Sequence, residues 1–218
     1  MRTFLFIASI ILFSIALPLA SRAQAPASNP NLDEQVKSFL EQNRYGWRDM
    51  NVSAADGQIL YDLIVSHNYT RVLEIGTSTG HSGTWIAWAL SKTGGRLVTI
   101  DIDEGRHNEA VAHFKEAGLS QFVDARLGDA HEIVPALEGP FDFVFSDADK
   151  EWYLNYFTAA YPKLVVGGCF VAHNVADQSR TPGIGEFLTY IRSVPNLDTH
   201  IERGGGAGMS ISYKKSEQ

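Results

Sequence analysis

The sequence predicts an α/β fold: a Rossmann-like, doubly wound sheet of seven strands, mostly parallel with an antiparallel C-terminal hairpin, and helices on both faces. Three observations carry that expectation. From Asn31 onward, short Val/Ile/Leu/Phe runs alternate with segments of helical spacing, the rhythm of a parallel sheet covered by helices. The run "FDFVFS", Phe141–Ser146, is apolar or small except for Asp142, as a strand buried on both faces would be. Only "RGGGAG" separates the last two strands, so they form an antiparallel hairpin at one edge.

In chain order, residues 1–25, "MRTFLFIASIILFSIALPLASRAQA", carry Arg2, a long apolar stretch and small residues at Ala23 and Ala25. That is the pattern of an export signal and its cleavage site. The expected location is therefore outside the cytosol, with an uncleaved membrane anchor as the alternative, because the apolar stretch approaches bilayer length. Residues 26–32 read as a Pro/Asn/Ser linker. Residues 33–218 then form one domain, since 218 residues with 44% hydrophobic content are enough for one core and few for two. Helical spacing places helices near 33–42, 54–67, 82–91, 104–117, 131–137, 152–161 and 185–192. Apolar runs place strands near 71–75, 96–102, 123–127, 141–145, 164–172, 199–202 and 209–213.

The formal charge of −7, without a Lys/Arg run, argues against a surface that tracks nucleic-acid phosphates. Cleavage after residue 25 would remove two arginines and no acids, moving the charge from −7 to −9. Cys169, the single cysteine, sits in "LVVGGCFVA" as a small buried thiol and excludes an internal disulfide.

Chemistry gathers at the predicted strand ends. "RVLEIGTSTGHSG" is a strand, a glycine-punctuated turn and a helix start, in which Gly76 and Gly80 permit a sharp turn and close approach to a ligand. Asp101, in "LVTIDIDEG", ends the next strand, where an acid can accept both hydroxyl hydrogens of a ribose. The bland alternative is that Asp101 or Asp103 caps the following helix. Glu74 is an acid inside an apolar strand and needs a partner. In "LGDAH", Asp129, Ala130 and His131 are placed to flank an adenine, although Asp129 is equally a helix cap. Asp147 and Asp149 end the fourth strand, and His173 and Asn174 the fifth. Asp147, His173 and Asn174 together offer two oxygens and one nitrogen to a metal. The competing reading of "DADKEWYLNYF" is an acidic helix N-terminus.

The blocks "MNVSAADGQIL", "VLEIGTSTGHS", "VTIDID", "FDFVFSDADKEWYLNYF" and "HNV" resemble the cation-dependent O-methyltransferases, which include the catechol and caffeoyl-coenzyme A enzymes. The likeness runs from about Trp47 to Tyr213 with the blocks in family order. It implies transfer of a methyl group from S-adenosylmethionine (SAM) to a hydroxyl of a small phenolic acceptor with adjacent oxygens. It places Val52, Glu74, Gly76, Thr77, Ser82, Asp101, Ala130 and Asp149 at the cofactor. It also places Asp147, His173 and Asn174 at a divalent cation, Mg²⁺ or Mn²⁺ by family habit, with Lys150 as general base. A homodimer is a further expectation.

The chain departs from the family pattern in two places. His173 stands where the family has an aspartate, and an imidazole suits Mn²⁺, Fe²⁺, Co²⁺ or Zn²⁺ better than Mg²⁺. "RGGGAGM" occupies the region where catechol methyltransferases carry a substrate-holding acid. Three alternatives stay open: a metal-independent methyltransferase, a non-catalytic nucleoside binder, and an NAD dehydrogenase. The last is disfavoured because "EIGTSTG" lacks the close glycine pair that a pyrophosphate requires.

Overall fold

The computed structural model describes residues 30–47, 50–176, 181–203 and 205–217. Seven strands form one sheet in the order β3-β2-β1-β4-β5-β7-β6. They are β1 (Arg71–Ile75), β2 (Arg96–Asp101), β3 (Val123–Leu127), β4 (Phe141–Ser146), β5 (Leu164–His173), β6 (Leu197–Glu202) and β7 (Met209–Lys214). The first five strands pair in parallel, while β7 lies antiparallel between β5 and β6. The expected hairpin therefore sits at the sheet edge, with β6 outermost.

Seven helices cover the sheet: α1 (Pro30–Gln42), α2 (Ala54–His67), α3 (His81–Thr93), α4 (Glu104–Glu116), α5 (Ala130–Ala136), α6 (Tyr153–Ala160) and α7 (Ile184–Ser193). Because successive strand residues point to opposite faces, β1 feeds two separate cores. Val72 packs with α1 to α4, and Leu73 and Ile75 pack with α5 to α7. Trp85 and Trp88, on α3, lie in the first core as the covering helix requires.

Helix starts follow local chemistry. Ser53 caps α2 by accepting from the Asp56 amide, Asp103 caps α4 from Arg106, and Asp129 caps α5 from His131. Asp142, the one charged residue of β4, is nearly buried. Its carboxylate accepts from the Thr70 amide (2.8 Å), the Thr70 hydroxyl (3.0 Å) and the Arg71 amide (2.8 Å), which pins β4 against the entry to β1.

Helix α1 starts at Pro30, so residues 30–32, expected as linker, are helical. The export-signal reading concerns residues 1–25, outside the described residues. Among the described residues no helix is long and apolar enough to cross a membrane.

Candidate active site

Parallel strands β1, β2, β4 and β5 deliver their C-terminal ends to one rim, and the strand order reverses direction between β1 and β4. In open α/β sheets ligands bind at that switch point. A cavity of about 810 Å³ opens there, within the roughly 300–1,000 Å³ typical of small-molecule sites. Gly76, Asp101, Ala130, Asp147, Asp149 and Lys150 line it, as do His173 and Asn174. Val52, Glu74, Thr77 and Ser82 are buried and do not line the cavity.

The turn after β1 needs its first glycine. Gly76 has φ +97°, and a Cβ there would lie 2.8 Å from the Asp147 carbonyl oxygen. Its amide and that of Thr77 both donate to Ile100 O, at 3.0 and 3.2 Å, so the turn is tied to the end of β2. At that end Asp101 accepts from the Ser78 amide (2.7 Å) and the Asp103 amide (2.9 Å). A carboxylate has about four lone-pair sites, so acceptor capacity remains toward the cavity. Asp103 performs the capping, which leaves Asp101 for a ligand.

Glu74 points toward α3 and away from solvent. The Thr99 hydroxyl donates to its Oε2 at 2.6 Å, while Oε1 is buried without a hydrogen-bond partner among the described residues. Burial first, then the charges of Asp147 and Asp101, push its carboxyl up to about 7 against the hydrogen bonds of Ser82 and Thr99.

The opposite wall is aromatic. The His131 ring stacks on Trp152, with centroids 3.5 Å apart and 10° between planes. His131 Nε2 lies 3.1 Å from Asp149 Oδ2, and the Tyr156 hydroxyl donates to Asp149 Oδ1 at 2.6 Å. A 3₁₀ turn and α6 do follow Asp149, as the helix-start reading expected, yet its side chain caps neither; it faces the cavity wall. Trp47 packs on His81 and His113 instead, with a stacked centroid distance of 4.5 Å to His81.

Where the metal was expected, the side chains form a chain of charges. Lys150 Nζ donates to Asp147 Oδ1 (2.6 Å) and to Ala148 O (2.9 Å). His173 Nδ1 lies 3.1 Å from Asp147 Oδ2, and His173 Nε2 lies 3.3 Å from Oδ2 of Asp56. Asp56 is 1% exposed and His173 4%. Burial alone would lower the His173 imidazole, but the hydrogen bonds and charges of Asp147 and Asp56 outweigh it and push it up to about 9. Burial would raise the Asp56 carboxyl, but His173 and the Ser53 hydroxyl hold it below the ordinary carboxylate value. Asn174 lies beside them on the rim in the left-handed region, at φ 58°.

Asp56 has no counterpart among the sequence-predicted site residues. It lies in the first turn of α2, where an acid reads as ordinary helix chemistry, and its partner is 117 residues away. Gly205 stands over this pair: a Cβ there would fall 2.0 Å from both Asp56 carboxylate oxygens. The close approach leaves no room for a side chain at position 205.

As placed, these residues do not fit a divalent cation. Both Asp147 oxygens accept hydrogen bonds and both ring nitrogens of His173 face carboxylates, whereas a metal-binding imidazole must be neutral and offer a lone pair. Among the described residues no group of three or more His, Cys, Asp or Glu could hold a metal ion. The cofactor side does fit a nucleoside: an acid with acceptor capacity at the end of β2, and the rings of His131 and Tyr156 on the cavity wall.

Together the sheet order and the rim cavity define a Rossmann-like α/β protein with a ligand pocket at its topological switch point. The chain belongs to the O-methyltransferase family, whose model matches residues 23–180. It is 38% identical over 134 residues to a catechol O-methyltransferase of Niastella koreensis, covering 60% of each chain. It is 34% identical over 145 residues to caffeoyl-CoA O-methyltransferase 1 of Eucalyptus globulus, covering 64% of this chain and 58% of that one. The match thus spans about 60% of the length of these relatives. Among solved structures, the O-methyltransferase of Bacillus cereus in complex with SAH superposes with a TM-score of 0.72 at 29% identity, over 84% of this chain and 91% of that one. TomG of Streptomyces achromogenes, an O-methyltransferase involved in tomaymycin synthesis and solved with SAM, gives 0.71 at 29% identity, with the same coverage.

Proposed function

We propose that the protein is a SAM-dependent O-methyltransferase acting on a hydroxyl of a small phenolic acceptor. The observation that carries this reading is the single cavity that has Asp101 at one end and Lys150, Asp147 and Asn174 at the other, in a chain of this family. When bound, SAM supplies an electrophilic methyl group, which passes in line to an acceptor oxygen as the carbon–sulfur bond breaks and a thioether leaves.

Each end of the cavity has its task. Asp101 accepts the ribose hydroxyls, and Gly76 lets the backbone approach closely. The His131–Trp152 stack and Asp149 bound the base side. At the acceptor end, Lys150 Nζ in its amine form takes the proton of the attacking hydroxyl. Asp147, 2.6 Å away, then stabilises the ammonium that results. Holding acceptor and donor in one cavity converts a two-body encounter into an oriented one. The donor set does not fit a metal, so no step is assigned to one.

The test is incubation of the purified chain with SAM and a panel of phenols carrying one hydroxyl or two adjacent ones, with methylated product read by mass spectrometry. Calorimetry with SAH runs in parallel. Stoichiometric SAH binding and methylation of the adjacent-hydroxyl phenols support the reading; absence of both overturns it.

A further inference from the structure

The acceptor end of the cavity is closed by four charged side chains that alternate in sign: Asp56, His173, Asp147 and Lys150. Carboxylates accept hydrogen bonds and cannot donate them. With both carboxylates ionised, an imidazole that has a carboxylate oxygen 3.3 Å from Nε2 and another 3.1 Å from Nδ1 donates from both nitrogens and offers a metal no lone pair. The positive imidazolium then offsets one of the two carboxylates beside it, and its charge opposes that of a dication.

Burial holds the Asp56 end of the cluster in place. The Gly205 backbone covers Asp56 so closely that not even a Cβ fits, and His173 is almost fully enclosed. We infer that the His173 side chain, clamped between Asp56 and Asp147, occupies the place of a divalent cation, and that this centre binds no metal. The inference deepens the proposed methyltransferase reading and rests on it for the meaning of the site. Asp56 is then a positioning residue: it touches neither acceptor nor cofactor, but holds the imidazole that fixes Asp147, which in turn holds Lys150.

Replacing the imidazole inverts the arithmetic. His173→Asp would set a third carboxylate beside Asp56 and Asp147, with only Lys150 to offset them, which is an oxygen-rich, anionic set suited to Mn²⁺ or Mg²⁺.

The experiment is calorimetric titration of MnCl₂ into the full chain, after dialysis against chelator, with and without SAH. The expected result is no binding by the parent protein and uptake of one Mn²⁺ per chain by His173→Asp, with a Tm that rises with Mn²⁺ only in that variant. Uptake of one Mn²⁺ per chain by the parent protein, lost in His173→Ala, would overturn the inference. If His173→Asp does not fold, the parent titration and the elemental metal content of the protein as purified decide the question alone. Failure of SAH binding would sink the methyltransferase reading while leaving the Mn²⁺ result readable.

Discussion

Oδ2 of Asp56 lies 3.3 Å from Nε2 of His173, two buried groups joined across 117 residues of chain. Removing Asp56 leaves His173 with Asp147 as its remaining carboxylate partner, so the cost falls below the about 3–5 kcal/mol of a fully stranded buried charge. Asp56→Asn keeps the shape and removes the charge. Urea unfolding is expected to show a lower midpoint with an unchanged slope, and a loss of about 1–3 kcal/mol. A loss below about 1 kcal/mol would show that the pair is not formed.

His173, held by Asp147 and then by Asp56, sets a pH dependence at the alkaline end. The folded His173 value, about 9, lies above that of an ordinary imidazole, so the folded state binds its proton more tightly than the unfolded state. The resulting stabilisation, on the order of 3 kcal/mol, is fully present below about pH 6.5 and is lost as pH rises through about 9. Unfolding free energies measured from pH 6 to pH 10 should fall across that window, and His173→Asn should flatten the fall.

Glu74 acts in a lower window with the same sign. Its folded carboxyl, at about 7, lies above its ordinary value, so stability present below about pH 4.5 declines as pH rises to about 7. Glu74→Gln removes the charge from a fully buried site. In the absence of ligand the variant should be more stable than the parent at pH 8 and no more stable at pH 4.5, as denaturant titrations at the two pH values would show.

Gly205 stands against the Asp56 carboxylate with no room for a side chain. Gly205→Ala should displace the loop or the pair, lowering Tm by several degrees, whereas Gly206→Ala, with open space around its Cβ position but φ +87°, should cost only backbone strain. Differential scanning calorimetry of the two variants separates steric conflict from strain.

Among the described residues Lys150 Nζ meets Asp147, Ala148 O and the face of Tyr153, 5.2 Å from the ring centroid. Under the proposed mechanism Lys150→Met should retain SAH binding and lower kcat by about 10²–10⁴-fold. Equal losses in SAH affinity and in turnover would instead assign Lys150 to cofactor binding.

Much of the architecture was legible because it is written locally. Apolar runs gave every strand, and the Ser53, Asp103 and Asp129 caps mark three helix starts with short-range chemistry. The rim followed from the order of the strands, which brings Asp101, Asp147 and His173 to one side of the sheet. What stayed hidden was pairing over distance. Asp56 looks like any acid in a first turn, and nothing near it in the chain announces His173 or the glycine roof. His173 itself was visible as a departure from the family pattern; its meaning depended on which groups would face its two nitrogens.

The Asp142 clamp has a consequence for how the molecule can err. Sliding β4 by one position would turn each of its side chains to the opposite face and would bring Ala148 to the spot where Asp147 must stand. Because Asp142 seizes three donors at the strand's entrance, five residues before Asp147, threading and chemistry are checked by a single latch. A chain that misaligns this strand would lose its foothold and the Asp147–Lys150 contact together.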